Sequence, residues 1–169
     1  MGGSESSSEG TAGQGWGARG TTGSSAVDFS QEDAAFIRET LQSGMTEIKM
    51  GELARQNAQD QLKDFGQRLI DDHTRANDEL ARLAAIRGLD APSQMGVKGT
   101  EAFQHLSRLG GAEFDRACAR QAVDAHVQAI KSFRLRIERT RDAELKAFAQ
   151  KTLQLFEDDL AMARKLMGN

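Results

Sequence analysis

Four side chains interrupt otherwise apolar helical registers, one in each long amphipathic stretch of the 169-residue chain. In "LKDFGQRLIDDHTRANDELARLAAI" the stripe runs Leu62, Phe65, Leu69, His73, Ala76, Leu80, Leu83, so an imidazole stands where leucine would pack. A second stripe reads Ala119, Val123, His126, Ile130, Phe133, Ile137, and a third Leu145, Phe148, Thr152, Leu155, Asp159, Met162, Leu166. Spacings of three and four place each of these polar residues on its helix's buried face. The first stretch carries a bulky stripe, Ile37, Leu41, Met45 and Ile48, beside a stripe of small residues, Thr40, Gly44, Glu47, Gly51, Ala54 and Ala58. Glycines one turn either side of Glu47 remove bulk that would hold a neighbouring helix away, which leaves room for a carboxylate between helices. Two imidazoles and two carboxylates suit a single divalent ion such as zinc, iron or manganese. The same four groups can instead satisfy one another by hydrogen bonds and fix helix register without metal, because a buried charge must be compensated by one means or the other.

The elements that position these residues follow from propensity and punctuation. From Ser30 onward the chain has one proline, Pro92, and is rich in Ala, Leu, Gln, Glu and Arg, which favours helix over long windows. Helix A is expected from an N-cap at Ser30, with Asp33 in a variant of the capping-box spacing, to about Gln59. Helix B follows from about Gln61 to Ile86 and ends at Gly88, the residue type that tolerates the left-handed C′ conformation. A long connection with Pro92 and two glycines carries a shorter helix, "TEAFQHLSRL", before Gly110 and Gly111. Helix C is expected from Ala112 to about Arg139 and helix D from about Asp142 to Met167. Two tight hairpins joined by one long crossover predict an all-α, ferritin-like antiparallel four-helix bundle over residues 30–169, with helices B and C parallel. Glu47 lies 13 residues before the A–B turn near Asp60, and His73 lies 13 after it. His126 lies about 15 residues before the C–D turn and Asp159 about 17 after it. At 1.5 Å per residue each pair stands about 20 Å from its own turn, near mid-bundle, so one layer can hold all four.

Composition narrows the function classes. A net charge of −3, with 28 % charged residues and basic side chains interleaved with acids, supplies no stripe for nucleic acid. No apolar run reaches the roughly 20 residues of a membrane span. Residues 1–29 are Gly/Ser-rich and are expected to be a disordered tail, with Trp16 its one sticky point. The tail has no basic start or apolar core of a secretory signal, so the chain as written reads as cytoplasmic; its match to the myristoylation pattern through Gly2 and Ser6 is a cheap coincidence of composition. The single cysteine, Cys118, is expected to pack as a small apolar residue. His105 is expected at the surface, and Asp71, Asp72 and Asp78 as solvated charges. A di-iron oxidase centre needs Glu-x-x-His on two helices, and Ile70, Ala102 and Val123 stand three residues before the histidines instead. No nucleophilic triad, phosphate-cradling loop or nucleotide fingerprint occurs, so the expectation is a non-catalytic protein. Leu and Phe positions on helices of this length offer surface for a homodimer or another protein partner.

"GMTEIKMGELARQNAQDQLKDFGQRLIDDHTRANDELARLA", "GAEFDRACARQAVDAHVQAIKSF" and "DAELKAFAQKTLQLFEDDLAMARKL" together resemble the bacterial domain-of-unknown-function family 4142, over Ser30 to Leu166. "DDHTRAN" and "FDRA…DAH" are the most specific of these marks. The resemblance implies a ferritin-like bundle and an exported or envelope location. It also implies that Glu47, His73 and His126 occupy positions the family tends to hold as those residue types. In the last helix the family pattern often has a proline and then a histidine where this chain has Gln154 and Asp159, so a hard oxygen replaces an imidazole.

Overall fold

The computed structural model describes residues 28–168. The tail's Gly2, Ser6 and Trp16 lie outside that range. Five helices and no strand occur among the described residues: α1 (Gln31–Asn57), α2 (Asp60–Ile86), α3 (Val97–Ser107), α4 (Gly111–Arg139) and α5 (Ala143–Leu166). None is long and apolar enough to cross a membrane.

Local chemistry sets the helix ends. Ser30 Oγ accepts from the Asp33 amide at 3.0 Å, as an N-cap should. The Asp33 carboxylate does not return to the Ser30 backbone as the capping-box spacing predicts. It is buried and accepts from Arg136 Nη1 and Thr140 Oγ1, both at 2.8 Å, so a would-be local cap joins the start of α1 to the end of α4. At the end of α2, Gly88 adopts φ +70°. Its amide donates to Ala85 O at 3.1 Å and the Leu89 amide to Ala84 O at 2.9 Å, the paired bonds of a Schellman cap. Asp60, at the turn into α2, has φ 42°, a conformation aspartate tolerates better than most side chains. The short helix α3 starts at Val97, ahead of the expected Thr100, because Gly96 serves as its cap.

α1 and α2 form one hairpin and α4 and α5 another; α1 packs beside α4, and α2 beside α5. Arg87 at the end of α2 pairs with Asp142 in the α4–α5 turn, while Phe114 at the start of α4 clusters with Leu62 and Phe65 at the start of α2. Hence α2 and α4 run the same way and the two tight turns sit at opposite ends. The chain between them travels back along α1: Gly96 lies near Gln42, Gly99 against Thr46, and Leu106 in the cluster with Met50 and Ala54. Phe29, expected as the last residue of the tail, packs against the core, with the Arg87 guanidinium 4.9 Å above its ring.

The core has two apolar halves. One gathers Phe36, Ile37, Leu41, Leu80, Phe133 and Phe148; the other Met50, Phe65, Leu69, Phe114, Cys118 and Ala163. The buried face of α1 crosses from one stripe to the other: Ile37 and Leu41 of the bulky stripe are inside over the first half, Gly44, Glu47, Gly51 and Ala54 of the small stripe take over beyond them, and Met45 and Ile48 are only half-buried. Backbone approach explains the choice. A Cβ on Gly51 would lie 2.5 Å from Gly66 O, and one on Gly44 would meet the Asn77 amide, whose Nδ2 donates to Leu41 O at 3.0 Å.

Helix propensity alone makes Gly51→Ala stabilising by about 1 kcal/mol. The clash with the Gly66 carbonyl reverses the sign, and we expect a net loss of about 1–3 kcal/mol from overpacking. Urea unfolding monitored by circular dichroism reads this directly; a variant as stable as the parent would mean that α1 and α2 are not in such close contact.

Candidate metal centre

The four polar residues of the interrupted registers sit between the apolar halves. Their exposures are 2 % for Glu47, 4 % for His73, 1 % for His126 and 0 % for Asp159. Glu47 is admitted by the glycine stripe that draws α1 onto α2, and His73 stands on the facing side of α2. His126 and Asp159 come from the second hairpin.

Ligand atoms of Glu47, His73 and His126 all lie within 4.8 Å of one another. The two Nε2 atoms are 3.4 Å apart. Two imidazoles on one tetrahedral ion at the usual 2.0–2.1 Å would bring their nitrogens to about 3.4 Å. Without an ion, one of them must carry the proton of a long N–H···N bond. The Ala122 carbonyl, 2.7 Å from His126 Nδ1, accepts that nitrogen's hydrogen and so leaves a lone pair on His126 Nε2 in the neutral ring. Phe156 stacks on His73 with centroids 4.9 Å apart and presents its edge to His126 at 5.6 Å, which fixes both ring planes.

Asp159 is set apart from the other three. Its Oδ1 accepts from Arg68 Nε at 2.6 Å, while Oδ2 lies 3.7 Å from His126 Nε2, beyond a hydrogen bond. Arg68 also reaches Asp72 at 3.3 Å. Asp72, expected as a solvated charge, is therefore buried at 8 % exposure, because the guanidinium draws it against the helix–helix seam. His105 is exposed and Cys118 is buried in the apolar half next to the site, both as expected. Burial pushes the Cys118 thiol up to about 12, so it stays protonated and inert.

Charge in the layer is under-compensated. Glu47 Oε2 and Asp159 Oδ2 are buried and have no hydrogen-bond partner; among the described residues only Asp115 Oδ1 shares that condition. Burial raises the Glu47 carboxyl from 4.5 to about 7, an effect that the neighbouring His126 only partly offsets. Burial, reinforced by His126, lowers His73 to about 3 and holds it neutral. For His126, burial opposes the charge but is outweighed by Asp159, Glu47 and the Ala122 carbonyl, and the ring's pKa is raised. Asp159 follows the same logic in reverse: burial would raise it, and His126 and Arg68 together bring it below its ordinary value. A neutral His73 nitrogen, a His126 nitrogen that gives up its proton on binding and a carboxylate oxygen without a donor form a set that a divalent cation can satisfy.

Three contributors are invisible to the apolar stripes read from sequence. Phe156 lies off the Thr152–Leu155–Asp159 path but on the Phe148–Thr152–Phe156 path of the same helix, and both paths are helical. Thr152 is buried with it, and Leu155 is only half-buried. Arg68 and Asp72, spaced i and i+4, carry a pairing signal that by itself suggests a surface ion pair.

The pH dependence has a definite sign. With its folded pKa raised from 4.5 to about 7, Glu47 binds a proton more tightly in the folded state, so metal-free stability falls as pH rises through that interval. His73, lowered to about 3, works in the opposite direction over pH 3 to 6.5. Comparison with Glu47→Gln, which cannot ionise, isolates the first effect. The variant should gain on the order of 3 kcal/mol relative to the metal-free parent between pH 4 and pH 8. Parallel stability–pH curves from chemical denaturation would show that Glu47 does not titrate inside the fold.

Three solved structures share this fold. A DUF305 fragment from Deinococcus radiodurans superposes with a TM-score of 0.74 at 10 % identity, covering 83 % of this chain and 98 % of that one. CopM in its Cu(II)-bound form gives 0.70 at 19 % identity, covering 81 % and 96 %. A conserved hypothetical protein from Mycobacterium tuberculosis gives 0.65 at 17 % identity, covering 81 % and 91 %. No functionally curated protein matches the chain. The family model "Domain of unknown function (DUF4142)" matches residues 18–166, and with the interrupted registers assembled as described, the chain belongs to the DUF4142 family.

Proposed function

We propose that this protein is a non-catalytic, ferritin-like helical bundle that binds one divalent metal ion through Glu47, His73 and His126. Asp159 stands beside His126 as the outer carboxylate of the layer. The observation that carries the reading is the buried Glu47 oxygen without a donor, in a set whose ligand atoms lie within 4.8 Å of one another. An isolated buried carboxylate is expensive, and a cation is the partner that removes the expense while leaving both imidazoles neutral. Zinc, iron and manganese suit the nitrogen–oxygen set, and the neighbour solved with Cu(II) adds copper to the ions worth loading. The His126 Nδ1–carbonyl bond supports the reading, since metal-bound imidazoles are usually oriented in this way through their second nitrogen. The 3.4 Å Nε2···Nε2 contact fits a long N–H···N bond as well as a shared ion, and so supports a second reading in which the layer is a metal-free network that fixes helix register.

Elemental analysis of chelator-free protein separates the two. We expect one ion per chain, lost in His73→Ala and in Glu47→Gln, with affinity reduced by about 100-fold or more in each, since even outer-shell changes cost 10–100-fold. Loading should also raise the unfolding midpoint in proportion to the logarithm of ion concentration. Protein that takes up no ion, and whose unfolding is indifferent to chelator, would leave the register network as the function of the layer.

A further inference from the structure

A cleft of about 670 Å³ leads from the surface to this site between α1 and α4, beside the start of α3. Glu47, His73 and His126 are among its lining residues and, nearly fully buried, lie at its deep end. Small side chains on α4 keep it open: Ala125 and Ala129 line the wall where larger residues would close the seam, with Phe133 and Phe156 deeper. Ser43 and the oppositely charged pair Glu39 and Lys98 are among the residues nearer the mouth. Register-fixing layers need no such entrance; a site that exchanges a ligand does.

Resting on the metal-binding reading, we propose that the cleft delivers a small ligand with a nitrogen or oxygen donor, of the size of azide, to a coordination position that the three protein donors leave open on the ion. Two features point to the vacancy. Three protein donors leave a tetrahedral ion one position short, the pattern of sites that bind exogenous ligands rather than closed structural ones. The nearest spare carboxylate, Asp159, is engaged by Arg68 through Oδ1 at 2.6 Å and is not among the three whose ligand atoms converge. The charge around the ion does not demand an anion: the ion with Glu47 keeps one positive charge, and Arg68, shared between Asp159 and Asp72, leaves one negative charge beside it, so a single small donor, charged or neutral, completes the site. The volume falls within the range of small-molecule sites, and the apolar wall formed by Ala129, Phe133 and Phe156 favours a compact ligand over a hydrated one.

Co(II) is the probe ion, because its visible absorption reports coordination, and azide is the probe ligand. The full chain loaded with one Co(II) should show a saturable spectral change on azide titration. Ala129→Phe, which fills the cleft wall, should keep the cobalt stoichiometry and weaken azide by roughly tenfold or more, the equivalent of 1–3 kcal/mol of steric overpacking. Ser43→Phe on the exposed rim provides the same test should the wall variant fail to fold, as judged by helicity. Stoichiometric cobalt whose spectrum ignores azide overturns the open position and leaves metal binding standing. Azide that binds the parent and both folded variants equally overturns the cleft as its route. A chain that takes up no cobalt at all overturns this proposal together with the reading beneath it.

Discussion

The energetic cost of placing two carboxylates and two imidazoles in one buried layer governs the structure. Each group alone would cost several kcal/mol to remove from water, and the donors available inside the layer do not cover the carboxylate oxygens. Arg68 compensates Asp159 from outside, at the end of a side chain that keeps 36 % exposure and so retains part of its hydration. Among the described residues no Arg or Lys pairs with Glu47. What remains is either a proton, which the raised Glu47 pKa accommodates near neutrality, or a metal ion. A single protein can use both, with proton and ion competing for the same oxygen.

Holding the layer at one height is the task of the remaining structure. Aromatic and aliphatic packing on one side, and the tighter Met50, Leu69 and Phe114 cluster on the other, leave no room for a helix to slide. At one end of the bundle Asp33 ties α1 to Arg136 and Thr140, and Arg87 ties α2 to Asp142 and Glu144. Between Glu47 and the α1–α2 turn, the Gly51–Gly66 approach brings backbone against backbone. The polar ties at the bundle end sit far from the site and the glycine contact one turn from Glu47, and together they set the relative height of four residues drawn from two hairpins. A slip of one helical turn, about 5.4 Å, would exceed the 3.4 Å that separates the imidazole nitrogens.

Much of this was legible in the amino-acid order because interruption of a periodic pattern is a local signal. His73, His126 and Asp159 each break a stripe that would otherwise be apolar, and Glu47 sits between two glycines. Less legible was anything that depends on a facing helix. Asp33 has the spacing of a local cap, but its carboxylate spans to α4, where two donors offer more than the Ser30 backbone does. Asp72 has the composition of a surface charge, but Arg68 draws it inward. On α5 two helical paths share Thr152, and only packing against His73 decides that Phe156 lies inside and Leu155 is left half-buried.

Composition, propensity and punctuation by themselves determined four features of the described residues: the helices, their approximate ends, the long connection after α2, and the identity of the four polar residues that interrupt the apolar stripes. All of these depend on neighbours within a few turns of the same chain segment, where geometry is nearly fixed by the backbone. Only the tertiary structure decided that three of the four converge while Arg68 holds the fourth, where along α1 the core passes from the bulky stripe to the small one, and that a cleft reaches the site. Those outcomes turn on differences of one or two ångströms between helices, set by the summed packing of side chains that no single stretch of sequence contains.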